Sequence, residues 1–262
     1  MSTPRNINVK TSSDENDCWI TGITVSPQNQ LFVADYNNLS IKMIDTNSGT
    51  IKQQQLESNP WDITIMTRDT LAVTIPDIET IQFISFSSNS FSLKHKLKVD
   101  GQCHGISHHQ GKLAVTFLFP DKLQIIDLKG NIQITVEKDS DGDSIFSDSC
   151  YVTTNSHSIY VSESVKNAVI WFNWQGEMIG RYVTTGRPYG ISLLDDGSIF
   201  VSDNKAECIY RVSGDCKDRT IILENVDGHR AVCWSAETST LYLSTDSDNT
   251  ESNNIIKMYK MM

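Results

Sequence analysis

Leu31-Phe-Val-Ala-Asp35 is a short apolar run that ends on a carboxylate, and similar runs recur five more times along the chain. They are Leu71-Ala-Val-Thr74, Leu113-Ala-Val-Thr116, Ile159-Tyr-Val-Ser-Glu163, Ile199-Phe-Val-Ser-Asp203 and Leu241-Tyr-Leu-Ser-Thr245. The starts of the six runs lie 40, 42, 46, 40 and 42 residues apart. That period is typical of a β-propeller, in which each repeat forms one four-stranded blade. The sequence therefore predicts an all-β fold, a six-bladed β-propeller with antiparallel blades.

Each run is flanked by further strand-like segments. A segment such as Gly22-Ile-Thr-Val25 or Gly190-Ile-Ser-Leu193 precedes it, and an alternating run such as Ile41-Lys-Met-Ile44 follows it. Alternation of apolar and polar residues indicates half-buried strands, so we read these segments as the first and third strands of each blade. Weaker candidates for the outer strand are residues 50–54, 93–98, 132–136, 178–182 and 220–223.

The sixth repeat has no candidate for an outer strand before Met262. We expect Ile7-Asn-Val-Lys10 to supply it, which closes the ring and removes an exposed strand edge. Residues 1–262 are then a single propeller domain. A chain of this length exceeds the usual size of one core, but radial repeats avoid that limit because each blade packs only against its neighbours.

The composition favours some partners and locations over others. With 22 Lys and Arg against 32 Asp and Glu, the formal net charge is −10. Such a field repels phosphate backbones and favours basic or neutral partners. No stretch approaches eighteen apolar residues, and residues 1–20 have no apolar signal core, so we expect a cytoplasmic protein that does not bind membranes. The isolated domain is expected to be a monomer.

The six cysteines have no C-x-x-C spacing, which argues against a zinc finger or a disulfide framework. We expect most of them to be buried thiols.

Propeller geometry predicts where a binding site lies. The residues just before the innermost strands should face the mouth of the central channel, on the same side as the loops between second and third strands. These residues are Thr21, Trp61, His104, Cys150, Tyr189 and Arg230, with Trp19, Asn59, Gln102, Asp148 and Arg187 close by. Aromatic residues and Arg dominate binding hot spots, so the mouth is a candidate recognition surface. The alternative is that these side chains only plug the channel.

The loops between second and third strands carry many carboxylates. They are Asp35, Asp77, Glu79, Asp121, Glu163, Asp203, Glu207, Asp246 and Asp248. We expect Asp35, Glu163 and Asp203 to steer a basic partner toward the mouth. The alternative is that these residues form turns and keep the protein soluble. A separate cluster, Asp139–Ser144, resembles part of a calcium loop but lacks the spacing of an EF-hand, so we read it as a connector.

Catalytic constellations are scarce. His104 and His108 lie four residues apart, roughly 13 Å on a strand, which is too far for two ligands of one metal. The sequence has no G-x-S-x-G, no H-E-x-x-H and no phosphate-binding glycine loop. We therefore expect no catalytic residues, no metal and no cofactor. A propeller enzyme that draws its ligands from several blades stays an alternative.

At the repeats, the chain resembles the NHL-repeat propellers of invertebrate tripartite-motif (TRIM) proteins. The resemblance spans nearly the whole chain from about Ile7. It is carried by Asp17-Cys-Trp-Ile-Thr-Gly22, Val33-Ala-Asp-Tyr-Asn-Asn38, Asn59-Pro-Trp-Asp62, Ile81-Gln-Phe-Ile-Ser85, Asn173-Trp-Gln-Gly-Glu177 and Ala231-Val-Cys-Trp234. In that family the propeller is the target-recognition module behind a RING, B-box zinc modules and a coiled coil, and full-length members are E3 ubiquitin ligases. None of those other modules is recognised in this sequence, so the resemblance implies no ligase activity for it alone.

The leading hypothesis is a noncatalytic module that binds a protein or peptide through Trp19, Trp61, His104, Tyr189 and Arg230. Some members of the family bind RNA hairpins on the same face, and Arg187, Arg230 and Lys205 make RNA binding the second hypothesis, which the acidic charge disfavours. A lactonase-like or lyase-like enzyme with a metal in the channel is the third. A receptor for a small molecule is the fourth.

Overall fold

Six four-stranded sheets form the ring of a β-propeller in the computed structural model, which describes residues 3–226, 228–247 and 250–261. Each sheet is antiparallel, and its strands follow one another from the channel outward. Blade 1 contains β2 (Ile20–Val25), β3 (Leu31–Asp35), β4 (Ser40–Ile44) and β5 (Ile51–Gln55). Blade 2 contains β6 (Ile63–Thr67), β7 (Thr70–Ile75), β8 (Thr80–Phe86) and β9 (Phe91–Lys98). Blade 3 contains β10 (Gln102–His109), β11 (Lys112–Leu118), β12 (Lys122–Asp127) and β13 (Ile132–Val136).

The remaining blades follow the same plan. Blade 4 contains β14 (Ser149–Thr154), β15 (Ser158–Glu163), β16 (Ala168–Asn173) and β17 (Met178–Val183). Blade 5 contains β18 (Pro188–Leu193), β19 (Ile199–Asp203), β20 (Cys208–Val212) and β21 (Arg219–Glu224). Blade 6 contains β22 (His229–Ser235), β23 (Thr240–Thr245), β24 (Ile255–Lys260) and, as its outer strand, β1 (Arg5–Asn8). The prediction of six blades with four antiparallel strands is confirmed.

The closing strand comes from the other end of the chain, as expected, but it is shifted by two residues. β1 pairs with β24 from Arg5 opposite Met258 to Asn8 opposite Ile255, where the sequence predicted residues 7–10. The strand ends early because the Asn8 side chain accepts the Lys10 N–H at 2.9 Å and turns the backbone out of the ladder. Val9 N–H still donates to the Asn254 carbonyl at 2.8 Å.

Burial follows the position of each strand in its blade. All five residues of β3 are buried, because a second strand is covered on both faces by neighbouring blades. The outer strands are partly exposed, and every residue of β9 is exposed or half-buried. All six cysteines are thiols, and each except the half-buried Cys233 is buried, as predicted.

Helical structure in the described ranges is limited to two 3-10 turns, η1 (Pro76–Ile78) and η2 (Thr250–Asn254). No helix within those ranges has the length and apolar character needed to cross a membrane.

Candidate binding site at the channel mouth

Bulges at the mouth ends of the inner strands hold several of the residues predicted for the mouth. In five blades the pairing of inner and second strands shifts register at the mouth end, and the bulged positions include Thr21, His104, Cys150, Tyr189 and Arg230. In blade 2 the shift lies at the opposite end of the inner strand, between Ile65 and Thr67. A bulge breaks the alternation of a strand and turns its side chain away from the sheet face. These five mouth residues therefore come from the same irregularity repeated around the ring, whereas Trp19 and Trp61 precede the inner strands β2 and β6.

Small residues follow these bulges because the inner strands converge on the channel. A Cβ on Gly22 would lie 2.8 Å from the Asp62 Cα, and one on Gly105 would lie 2.8 Å from the Tyr151 Cα. On Gly190 it would lie 2.4 Å from the Arg230 carbonyl oxygen. The recurring glycine of the sequence pattern is thus required by the close approach of neighbouring blades.

Three aromatic rings surround the guanidinium of Arg230. Its Cζ lies 5.1 Å from the ring centroid of Trp19, 5.5 Å from that of Trp61 and 5.0 Å from that of Tyr189. Each distance is within the range of a cation–π interaction. We call these four residues the Arg230 cage. The structure thus brings together four of the residues that the sequence predicted for the mouth.

Two further rings extend the cage. The Tyr36 ring centroid lies 4.8 Å from that of Trp19 and 5.9 Å from that of Trp61. On the other side, the His104 ring lies 4.4 Å from Trp61. Sequence reasoning missed Tyr36, although it follows Asp35 directly in a loop that was correctly assigned to this face.

An ion pair fixes Arg230 in the cage. Its Nε donates to the Asp246 carboxylate at 2.7 Å, and the side chains are 15% and 27% exposed. Burial opposes the charge of Arg230, but the charge and hydrogen bond of Asp246 raise its pKa further above the ordinary value. The guanidinium therefore stays charged and already fills the space that a small cationic ligand would need. Asp248, from the same acidic loop, lies outside the described residues.

Three buried polar atoms beside the cage have no hydrogen-bond partner among the described residues. They are Nε1 of Trp19, Nε1 of Trp61 and Nδ1 of His104. Buried polar groups in native proteins are almost always paired, so such atoms mark a place where water or a ligand group belongs. Burial lowers the pKa of His104 to about 4, and this imidazole is therefore neutral near pH 7.

Tyr151 forms the floor of the mouth. It is buried on β14, and its hydroxyl donates to the Thr21 carbonyl of blade 1 at 2.5 Å. Blades 1 and 4 are opposite each other in a six-bladed ring, so this side chain crosses the channel. We call the part of the mouth that lies above this side chain, around the Arg230 cage, the cup.

The three carboxylates expected to steer a partner are buried. Asp35, Glu163 and Asp203 each have 0% exposure. Asp35 binds the Lys42 ammonium, while Glu163 accepts the Asp148 N–H and Asp203 accepts the Ala206 N–H. They are therefore not available for direct contact with a partner, because hydrogen bonds to Lys42 and to backbone N–H groups hold them inside the loops that they close.

Other carboxylates lie on this face beside blades 3 and 4. Asp148 accepts hydrogen bonds from the Ser164 hydroxyl and from the Cys150 thiol, the latter at 3.1 Å. Oδ1 of Asp121 is buried without a partner among the described residues, and burial together with the charge of Asp148 raises the pKa of Asp121. Phe119, two residues earlier in the same loop, is 78% exposed.

Arg187 lies outside the Arg230 cage. Its side chain is exposed, and its carbonyl accepts the Asn204 N–H at 3.0 Å, which places it beside the exposed Lys205. The side-chain amide of Asn59 stabilises the loop that contains Tyr36, because it donates to the Tyr36 carbonyl at 2.8 Å.

One group in the described ranges has the spacing of a metal site, and it is not at the mouth. Ligand atoms of Asp14, Cys18 and Asp35 lie within 4.8 Å of one another. The Lys42 ammonium is bound between them, at 2.7 Å from Asp14, 2.7 Å from Asp35 and 3.2 Å from the Cys18 sulfur. A protein cation therefore takes the position that a metal ion would need.

The Asp139–Ser144 cluster folds as a turn. The Asp139 carboxylate accepts the N–H groups of Asp141 and Asp143, each at 3.0 Å. This arrangement is that of a connector whose aspartate caps its own backbone, as the sequence predicted.

The fold and this cup define a six-bladed β-propeller with an aromatic, cationic mouth. No family model matches the sequence, and neither does any curated protein. Among solved structures, the chain is similar to virginiamycin B lyase from Staphylococcus aureus, with a TM-score of 0.67 and 17% sequence identity. The alignment covers 99% of this chain and 89% of the lyase. A streptogramin B lyase gives a TM-score of 0.70 at 16% identity, over 99% of this chain and 87% of that one.

A protein of unknown function from Bacteroides thetaiotaomicron gives a TM-score of 0.75 at 10% identity, over 98% of this chain and 75% of the other. At these identities the similarities establish the propeller fold alone.

Proposed function

We propose that this propeller is a noncatalytic recognition module that binds a segment of a protein partner in the cup around the Arg230 cage. The observation that supports it most is the set of unpartnered atoms Trp19 Nε1, Trp61 Nε1 and His104 Nδ1 beside a fixed guanidinium. A bound segment can supply backbone carbonyls to these groups and apolar side chains to the rings. Trp, Tyr and Arg are also the residues that most often dominate protein interfaces.

The charges around the cup suggest how the partner is oriented. Asp121 and Asp148 make no ion pair among the described residues, and the chain as a whole carries −10. The exposed Phe119 adds an apolar contact on the same side. We propose that basic residues of the partner lie over blades 3 and 4, while its backbone carbonyls face Arg230. In this proposal, Asp121 and Asp148 steer the partner in place of the buried Asp35, Glu163 and Asp203.

The resemblance to NHL-repeat propellers supports the same function. In the TRIM family, such a propeller selects the target that the rest of the protein ubiquitinates. We propose that this chain belongs to that type of recognition domain and has no ligase activity of its own.

The proposal is tested by affinity capture from a lysate of the source organism. The Trp61→Ala/Tyr189→Ala variant removes two faces of the Arg230 cage and should lose the partner. Trp234→Ala is the matched control, since Trp234 lies at the far end of its inner strand, packed edge-on against Phe200 at 5.6 Å between centroids. Circular dichroism establishes that both variants are folded. Equal capture by wild type and the cage variant would reject this site.

The same capture distinguishes a nucleic-acid partner. If RNA is enriched, its affinity should fall steeply with salt, and Arg187→Ala/Lys205→Ala should weaken it. This outcome would replace the proposed protein partner by RNA.

A second candidate function is a lyase-like enzyme, favoured by the neutral, buried imidazole of His104 in the cup. An unprotonated imidazole can act as a general base when a substrate proton lies within hydrogen-bond reach. The test uses quinupristin, the compound bound in one structure of virginiamycin B lyase. Conversion of quinupristin, followed by chromatography and lost in His104→Ala, would support the enzyme, as would a stoichiometric divalent metal in the purified protein.

A further inference from the structure

A small polar cavity lies in the central channel, beyond the Tyr151 floor. Its volume is about 100 Å³, and residues of all six inner strands line it. Four serine and threonine residues of the lining carry hydroxyl groups, namely Thr24, Thr64, Ser107 and Thr153, and the Ser107 hydroxyl also hydrogen-bonds to that of Thr154. Tyr151 lines this cavity and crosses the channel toward Thr21, so a ligand here occupies a different space from the partner proposed above.

Among the described residues, Asp62 is the one carboxylate in the wall of this cavity. It is 7% exposed, and its two oxygens accept the N–H groups of Ile63 and Ile106, each at 2.9 Å. Each carboxylate oxygen has two lone pairs, so one on each oxygen is left for another partner. Two backbone donors favour the charged form, and the remaining capacity suits a cation.

No positive side chain compensates this carboxylate in the described ranges. The titratable groups facing it are Tyr151 on β14 and Cys233 on β22. Burial raises the pKa of Tyr151 well above its ordinary value and that of Cys233 to about 12, so both are neutral. The positive charge of Arg230 acts on Tyr151, but Asp246 already binds this guanidinium.

A buried charge without a counter-charge is costly, and such groups either take up a proton or bind a cation. Burial raises the pKa of Asp62 to about 7. A cation in the cavity would supply the counter-charge that the described side chains do not provide.

We propose that the channel cavity binds one sodium ion as the counter-ion of Asp62. Carboxylate and hydroxyl oxygens are hard ligands of the kind that such an ion requires. A single carboxylate matches a single positive charge, whereas calcium sites gain their affinity from several carboxylates. A water occupies about 30 Å³ of liquid, so the cavity has room for the ion and a few waters. The ion contacts several blades and stabilises the closed ring.

The experiment measures urea unfolding in chloride solutions of constant ionic strength in which choline is replaced stepwise by sodium. Choline is too large for the cavity and serves as the inert cation. Ligand binding to the folded state alone multiplies the folding constant by about eleven when sodium reaches ten times its Kd. We expect that rise for wild type, and a larger rise at pH 8 than at pH 6, because protons compete for Asp62.

Two variants locate the effect. Asp62→Asn should abolish the sodium dependence, while Asp45→Asn, at an exposed turn carboxylate, should retain it in full. If Asp62→Asn does not fold, Thr64→Val serves instead, since loss of one hydroxyl ligand should weaken the sodium dependence several-fold.

Equal stability of wild type in sodium and in choline would overturn the proposal and leave a proton as the only counter-charge. A sodium effect that persists in Asp62→Asn would also overturn it. Stabilisation by calcium at fixed ionic strength without any effect of sodium would refute the monovalent ion.

Discussion

Lys42→Met is the substitution for which the structure predicts the largest loss of stability. The ammonium is wholly buried, and it binds the equally buried carboxylates of Asp14 and Asp35 at 2.7 Å each. It also donates to the Val9 carbonyl at 3.0 Å. Burial opposes its charge, but the charge of Asp35 and the hydrogen bonds to both carboxylates raise the pKa of Lys42 above its ordinary value. The lysine is therefore charged and ties the segment after β1 to blade 1.

The expected magnitude follows from what remains when the ammonium is gone. Methionine fills a similar volume but leaves two buried carboxylates facing each other beside the Cys18 thiol, whose pKa burial raises to about 12. Removing one partner of a buried ion pair costs about 3–5 kcal/mol. For a protein of this size that corresponds to a fall in Tm of roughly 6–20 °C.

The assay is urea and thermal unfolding followed by far-ultraviolet circular dichroism. Lys10→Met is the matched control, because Lys10 also lies 2.7 Å from an aspartate, Asp17, but at the surface. Its unfolding midpoint should stay close to that of wild type, since exposed ion pairs contribute little. Adding Asp14→Asn and Asp35→Asn to Lys42→Met should recover part of the loss. Equal midpoints for Lys42→Met and Lys10→Met would refute the reasoning.

Three further predictions concern titration and backbone packing. In choline chloride, the contribution of Asp62 to the free energy of unfolding should fall by on the order of 4 kcal/mol as the pH rises from 3.8 to about 7. Urea unfolding at a series of pH values measures this slope, and Asp62→Asn should remove it. His104 acts in the opposite direction: its contribution should be lost as the pH falls from 6.5 to about 4, by on the order of 3 kcal/mol, so a His104→Gln variant that kept the full acid slope would contradict it. Gly190→Ala should cost about 3 kcal/mol of unfolding free energy, because the new Cβ meets the Arg230 carbonyl. The control Gly49→Ala should cost about 1 kcal/mol, since Gly49 has open space around it but a φ of +72°. Equal urea midpoints for the two variants would argue against the close approach at Gly190.

The architecture was predictable because each blade repeats the same burial pattern. The buried second strand appears as a continuous apolar run, such as residues 31–34 or 113–115, and the repeat of these runs identifies the blade. Outer strands were harder to delimit, since one side of them faces solvent. The two-residue shift of β1 was not predictable, because it depends on the bond between the Asn8 side chain and the Lys10 backbone.

The candidate site was predictable in part. Its location follows from propeller topology, so Trp19, Trp61, Tyr189 and Arg230 could be assigned to one face. Two of them, Tyr189 and Arg230, lie at bulges that a sequence pattern does not show. The burial of Asp35 could not be foreseen without its partner Lys42, which lies on the next strand and looks, in sequence, like an exposed residue of an alternating run.

The first and last blades meet at a junction that we call the seam, and the Arg230 cage spans it. This position links partner binding to the stability of the ring. Trp19 belongs to blade 1 and Arg230 to blade 6, whose outer strand comes from the start of the chain. The backbone N–H of Trp19 donates to the Asp35 carboxylate at 3.1 Å, and this carboxylate binds the Lys42 ammonium. On the other side, the Cys18 N–H donates to the Asn254 side chain at 2.8 Å. An opened seam separates the two halves of the cage, so a partner that binds the intact cage binds the closed ring alone. Such a partner must raise the stability of the ring as its concentration rises above its Kd, and Lys42→Met, which removes the ammonium that Asp35 binds, should weaken its capture.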